Sequence, residues 1–70
     1  MRKQSVYYVT IKPRDDSIPE RQMTIQTNNR FSAARAGWLY LGHKFAANIE
    51  VRNIMRKLIY KTHFEAVERI

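Results

Sequence analysis

Arg52, Asn53, Arg56, Lys57, Tyr60 and Lys61 are the residues of this chain whose types and spacing point to chemistry. Their segment also holds Val51, Ile54, Met55, Leu58 and Ile59, which fall at i, i+3, i+4, i+7 and i+8, the spacing of one helical face. On a helix the six polar residues cover the opposite side. Arg52, Arg56 and Tyr60 run down one i, i+4 line, with Asn53, Lys57 and Lys61 beside it. A cationic surface with one aromatic ring attracts a phosphate backbone, and the ring can stack on an unpaired base. Arg30 and Arg35 add positive charge upstream, as do Arg2, Lys3 and Lys44. The pattern favours polyanion binding over sequence readout, because phosphate contacts carry no base information.

The remaining reactive residue types form weaker constellations. Asn28-Asn29-Arg30 offers amides, a guanidinium and free backbone N–H groups to a phosphate, but it reads more simply as a helix cap beside a solvated arginine. Asp15, Asp16 and Glu20 lack the spacing of a calcium loop and read as a solvated turn. His43 and His63 form no H-x-x-H or H-E-x-x-H pattern. Ser5, Ser17 and Ser32 have no nucleophile-elbow context. With no set of titratable residues at a usable spacing, the chain reads as a non-enzyme without a cofactor or metal.

Composition bounds the partners. The chain has 70 residues, the size of one small domain, with 13 Lys plus Arg against 6 Asp plus Glu and a formal charge of +7. An excess this large sets up a positive field that suits nucleic acid, an anionic surface or an acidic protein. There are no cysteines, which removes disulfides, thiolate zinc sites and thiol catalysis and fits a reducing, cytoplasmic setting. Ser5 to Ile11 is too short and too polar for a signal h-region, and no apolar run approaches the ~18 residues of a spanning helix. A core this small is marginal alone, so homodimerisation is a natural way to gain stability.

The elements that must position the basic residues follow from periodicity. Ser5 to Lys12 is rich in β-branched and aromatic residues and predicts a strand, with Tyr7, Val9 and Ile11 on one face and Val6, Tyr8 and Thr10 on the other. One of the two adjacent tyrosines must then point away from the other's face, and an exposed strand aromatic can stack on a base, although no RNP-type motif accompanies it. Pro13 to Pro19 predicts a loop. Arg21 to Thr27 alternates and predicts a half-exposed strand antiparallel to the first. Asn28-Asn29 ends it and can cap a helix from Arg30 to about Phe45, where Phe31, Ala34, Trp38, Leu41 and Phe45 share a face. Gly37 and Gly42 weaken that helix by about 1 kcal/mol each, serve close packing on a strand, or, for Gly42, end it early. Asn48 would cap a second helix through the basic segment, and Thr62 to Glu65 matches a capping box for a short last helix. The alternative makes Ile49 to Ile54 a third strand beside the first. The expected fold is α+β: two or three antiparallel strands against one or two helices, in β-β-α-α or β-β-α-β order.

The run from Met23 to Trp38, MTIQTNNRFSAARAGW, resembles a pattern found in short phage and lambdoid prophage proteins: a polar-alternating strand, a Thr/Asn turn, then a helix with a small-small-Arg step and a Trp. It is also similar to the strand-then-helix part of arm-type DNA-binding domains in phage integrases, from which this chain departs by its long segment after the helix. The resemblance spans about a quarter of the chain. It implies a phage-type origin and carries over no functional residue. Small phage proteins either bind nucleic acid or bind and block a host protein.

The expected function is therefore non-enzymatic nucleic-acid binding, with DNA ahead of RNA. The alternative is an interaction protein that inhibits or modulates an acidic host protein or a nucleoprotein complex. The apolar residues of the basic segment are assigned to the core, which leaves no membrane role for them.

Overall fold

The computed structural model describes residues 4–67. Its elements are β1 (Ser5–Pro13), β2 (Arg21–Thr27), α1 (Arg30–Leu41), β3 (Ala47–Arg52) and β4 (Leu58–Phe64). The four strands form one sheet in the order β2-β1-β3-β4, and every neighbouring pair is antiparallel. The fold is α+β as expected, but the order is β-β-α-β-β, with four strands and a single helix among the described residues.

The central strands carry the core. Val9 and Ile11 of β1 face the helix, and in register beside them stand Val51 and Ile49 of β3. These four β-branched side chains are fully buried, together with Ala47. The edge strands are only half covered: Met23 and Ile25 on β2, and Tyr60 and Phe64 on β4, pack around the core. The alternation that buries Ala47, Ile49 and Val51 turns Asn48, Glu50 and Arg52 to the other face, as the pleat requires.

Helix α1 begins where Asn29, in extended conformation, accepts the Ser32 N–H on its side-chain oxygen at 2.8 Å. It ends at Gly42, whose φ of 122° is open to glycine and whose N–H reaches the Trp38 carbonyl at 3.0 Å. The glycine thus stops the helix four residues short of Phe45. Ala33, Ala34 and Gly37 bring the helix close to β1, and Trp38 closes the end of the core. Of the residues expected on one helical face, Ala34 and Trp38 are buried, while Phe31 is 56% exposed and Phe45, beyond the end of the helix, 40%.

Gly37 is a point of close approach. A Cβ built there lies 2.7 Å from Cγ1 of Val9, inside van der Waals contact. Gly37→Ala would gain about 1 kcal/mol of helix propensity, but overpacking against a rigid β-branched side chain costs about 1–3 kcal/mol. The denaturant midpoint of Gly37→Ala is expected to fall. In the Val9→Ala background the same change should cost less, because its clash partner is gone. A raised midpoint in the wild-type background would mean that the helix moves off the sheet without loss.

Two sequence expectations are corrected. The helix expected from Asn48 through Lys61 is instead β3, a turn and β4; Asn48 lies within β3. Val51 is fully buried, but Ile54 and Met55 are 67% and 80% exposed in the turn, so the five apolar residues never share a face. The strand alternative holds for its place in the sheet, since β3 pairs antiparallel with β1, Val51 beside Val9 and Ile49 beside Ile11. The strand ends at Arg52 rather than Ile54, however, and a fourth strand follows it. The Thr62–Glu65 capping box is also overturned, since Thr62 pairs with Ile49 inside the sheet and residues 65–67 are not helical. The end of that expected last helix lies outside the described residues.

Candidate nucleic-acid interface

The helix covers one face of the sheet, and the other is open. That open face carries Tyr8, Thr10 and Lys12 from β1, with Thr24 opposite Tyr8 and Gln22 opposite Thr10 on β2. From β3 come Asn48, Glu50 and Arg52, and from β4 His63 and Lys61, opposite Asn48 and Glu50. Apart from Val6 and the ring of Tyr8, β1 and β3 offer this face polar groups, which is why no second layer is needed to cover it.

Glu50 organises the middle of the face. Lys12 Nζ reaches its Oε2 at 3.2 Å, and Arg52 Nη2 reaches its Oε1 at 3.3 Å. The Lys12 hydrogen bond holds the Glu50 carboxyl below its ordinary value against the opposing effect of burial, and the charges of Lys12, Arg52 and Lys61 add to it. A carboxylate so held keeps its charge well below neutral pH. Its contribution to stability is therefore present above the ordinary Glu range and lost as pH falls through the lowered value. It fixes Lys12 and Arg52 in place and leaves positive charge in excess on the face.

The turn from β3 to β4 sets the other border. Asn53 builds it: its side-chain oxygen accepts the N–H groups of Met55 at 2.9 Å and Lys57 at 3.0 Å. Its own N–H donates to the Lys57 carbonyl at 3.0 Å, and the Arg56 N–H donates to the Asn53 carbonyl at 2.8 Å. Arg56 sits at φ 62°, in the left-handed region, which costs a non-glycine residue about 1–2 kcal/mol. That backbone puts its guanidinium over the ring of Tyr8, 4.9 Å from the centroid. Arg52 Nη1 donates to the Arg56 carbonyl at 3.4 Å. Between this turn and β2 lies an open groove of about 460 Å³ lined by Tyr8, Thr10, Gln22, Thr24, Arg52 and Arg56, with Val9 and Met23.

The eight residues singled out from the sequence therefore fall into three places. Arg52 and Lys61 lie on the open face, in β3 and β4. Asn53, Arg56 and Lys57 form the turn at its border, where Asn53 is a structural hinge of hydrogen bonds. Tyr60 is on the helix side, half-buried and edge-on to Phe31 with ring centroids 4.8 Å apart, so it is not the stacking ring of the cationic surface. Arg30 and Arg35 belong to α1, across the sheet from the open face, and the Arg30 guanidinium lies 5.4 Å from the Phe31 centroid. The side chain of Asn29 is consumed as a cap. Lys12, Glu50, Gln22 and Thr24 share this face and are not among the eight residues that spacing singles out. Alternation in β1, β2 and β3 is their signal, once β3 is known to complete the face.

No family model, curated protein or solved structure matches this chain. Among the described residues no cluster of three or more His, Asp or Glu side chains is arranged to hold a metal ion, and no helix is long and apolar enough to cross a membrane. What the open face offers chemically is a shaped set of guanidinium, ammonium, amide and hydroxyl donors around one aromatic ring. Such a set suits a ligand rich in anionic oxygens.

Proposed function

We propose that this chain is a small non-enzymatic nucleic-acid-binding protein of phage or prophage type, with DNA its preferred ligand, and that the open sheet face is the binding surface. The observation that carries the reading is the uncovered face of the sheet, on which Lys12, Arg52 and Lys61 flank a single carboxylate and Arg56 lies over Tyr8. Cations track phosphates, while Gln22, Thr24, Asn48 and the Tyr8 ring supply hydrogen bonds and contact area beside them. The formal charge of +7 supports the same reading by raising the local concentration of any polyanion. The resemblance at residues 23–38 supports the phage-type origin.

The test is titration of a labelled duplex and a labelled single strand across a range of salt. About 0.9 counterions are released per neutralised phosphate on duplex DNA, so four contacts give a slope of about −3.6 in log affinity against log salt and a loss of roughly a hundredfold between 50 and 200 mM. A salt-independent affinity, or no binding at the lowest salt, would remove the reading.

One observation favours a second reading, an interaction protein that inhibits or modulates a host protein or nucleoprotein complex. Helix α1 turns Leu39 and Tyr40 outward, 49% and 65% exposed, where a helix lying on a sheet normally shows polar residues. Capture of partners from lysate with and without nuclease separates the two. Partners that survive nuclease support the protein reading, and loss of all of them supports nucleic acid.

A further inference from the structure

The tip of the β3–β4 turn carries two of the most exposed apolar side chains described in the chain, Ile54 at 67% and Met55 at 80%. They are adjacent, and they are not loose. Four backbone and side-chain hydrogen bonds through Asn53 hold the peptide groups on either side of them. A tight turn ordinarily takes residues such as Gly, Asn, Asp or Ser, so an Ile-Met pair here has no local reason. Burial gives none either, since neither side chain packs against the core. The pair is framed in sequence by Arg52, Arg56 and Lys57. Two apolar side chains alone supply far less than the roughly 800 Å² per partner of a standard protein interface. They are enough for a wedge.

We infer that Ile54 and Met55 form an apolar wedge that enters the minor groove of duplex DNA and partly unstacks one base step, while the cations framing them grip the flanking phosphates. The inference rests on the nucleic-acid reading above and specifies its ligand as a bent duplex. Minor-groove architectural proteins use this combination of an apolar residue inserted between bases with Arg or Lys beside it, and the kink lets more duplex lie against the protein. The surface behind the wedge is of the right kind. From the turn it continues into Arg52, the Arg56–Tyr8 pair, Lys61 and Lys12, a polar and cationic strip rather than an apolar one. That charge complementarity favours a phosphate backbone over a lipid interior. The molecule is a slab of 39 × 25 × 15 Å, long enough to lie along about one helical turn of DNA, roughly 34 Å.

The test compares the full chain with Ile54→Ser/Met55→Ser, and with Ile54→Ala/Met55→Ala as a milder second variant. Both positions are solvent-exposed, and circular dichroism checks that the sheet is intact. A duplex of about 30 base pairs with a fluorophore at each end reports bending by energy transfer, and anisotropy reports affinity on the same sample. The wild type should bring the ends closer. Its affinity should be severalfold higher for a duplex with a central TA step than for a stiff A-tract of equal length, because the flexible step unstacks more easily. Both variants should still bind with an affinity within about tenfold of wild type and an unchanged salt slope, yet lose the end-to-end approach and the TA preference. Wild-type binding without bending, or bending that survives in the variants, overturns the wedge and leaves the nucleic-acid reading standing. No duplex binding at low salt removes both. Vesicles of phosphatidylcholine with phosphatidylserine form the last arm: wild-type binding that the variants lose, with DNA bending unaffected by the same changes, would assign the tip to membranes and overturn the inference.

Discussion

Trp38→Ala is expected to unfold the domain. Trp38 is 8% exposed, and its ring stacks on Phe64 with centroids 4.6 Å apart and planes within 7°. Its indole N–H donates to the Phe45 carbonyl at 2.8 Å, which ties the end of α1 to the loop that leads into β3. One side chain therefore joins the helix, the loop and an edge strand. Truncating a buried Trp to Ala costs about 3–5 kcal/mol, and a domain of this length holds in all roughly 3.5–10 kcal/mol at about 0.05–0.15 kcal/mol per residue. Thermal unfolding followed by far-UV circular dichroism should show no cooperative transition, or one lowered by well over 10 °C. Phe64→Ala should follow in the same direction with a smaller shift, since Phe64 is only half-buried. A folded Trp38→Ala protein with an unchanged melting temperature would contradict the packing described above.

The role of Trp38 was legible in the sequence, whereas its partner was not. Periodicity from Arg30 to about Phe45 places Trp38 on the inner face of a helix, and an early end at Gly42 is one of the alternatives the sequence offers, the one the structure takes. The partner Phe64 lies in a segment for which the capping-box pattern predicts a helix, and it is instead the last residue of β4, opposite Ala47. The cause is specific. Five apolar residues between Val51 and Ile59 mimic a helical stripe by coincidence, because the β3–β4 turn itself contains two of them. The turn also lacks its usual punctuation: it has no Gly or Pro, and the residue in the left-handed region is Arg56. Asn53 was the one available signal, and in a helical reading an Asn on a polar face raises no objection. What won was local chemistry that spacing cannot show, an Asn side chain bonded to two backbone N–H groups, together with the burial gained when Ile49 and Val51 join β1.

The same coincidental spacing governs how the basic residues group. Arg52, Arg56, Lys57 and Lys61 were selected as one helical face, and the structure brings Arg52 and Lys61 to one face of the sheet with Arg56 and Lys57 at its border by a different route. Tyr60 and Arg52 differ in face because Tyr60 stands opposite Val51, whose side chain is buried under the helix, while Arg52, the next residue along β3, points to the other face. The pairing with Val51 puts Tyr60 on the helix side and leaves Tyr8 as the aromatic ring of the open face, a place that follows from alternation in β1. Strand pairing and register cannot be seen in a single sequence, yet they decide which ring the open face carries.

Replacing Arg56, Lys57 and Lys61 together should remove most of the binding without touching the fold. The substitutions are chosen for their backbone: Arg56→Asn, because asparagine tolerates the left-handed region that Arg56 occupies, and Lys57→Gln and Lys61→Gln, which keep length and polarity. None of the three side chains makes an ion pair within 4.0 Å among the described residues, whereas Lys12 and Arg52 are engaged with Glu50. Asn53 keeps its hydrogen bonds to the backbone of Met55 and Lys57, so the turn should survive. Each lost phosphate contact lowers the salt slope by roughly one unit. If affinities converge near 1 M salt, where counterion release vanishes, three lost contacts amount to about 10²–10³-fold at 0.1 M. Circular dichroism and binding would be measured on the same preparation. The pattern expected of this charge variant is the reverse of the Ile54 and Met55 changes, a shallower salt slope and weak binding to every duplex alike, because phosphates are contacted whatever the sequence between them. A triple variant that folds and binds as well as wild type, with the same slope, would take the open face out of the function and leave the outward Leu39–Tyr40 surface of α1 as the place to look for a partner.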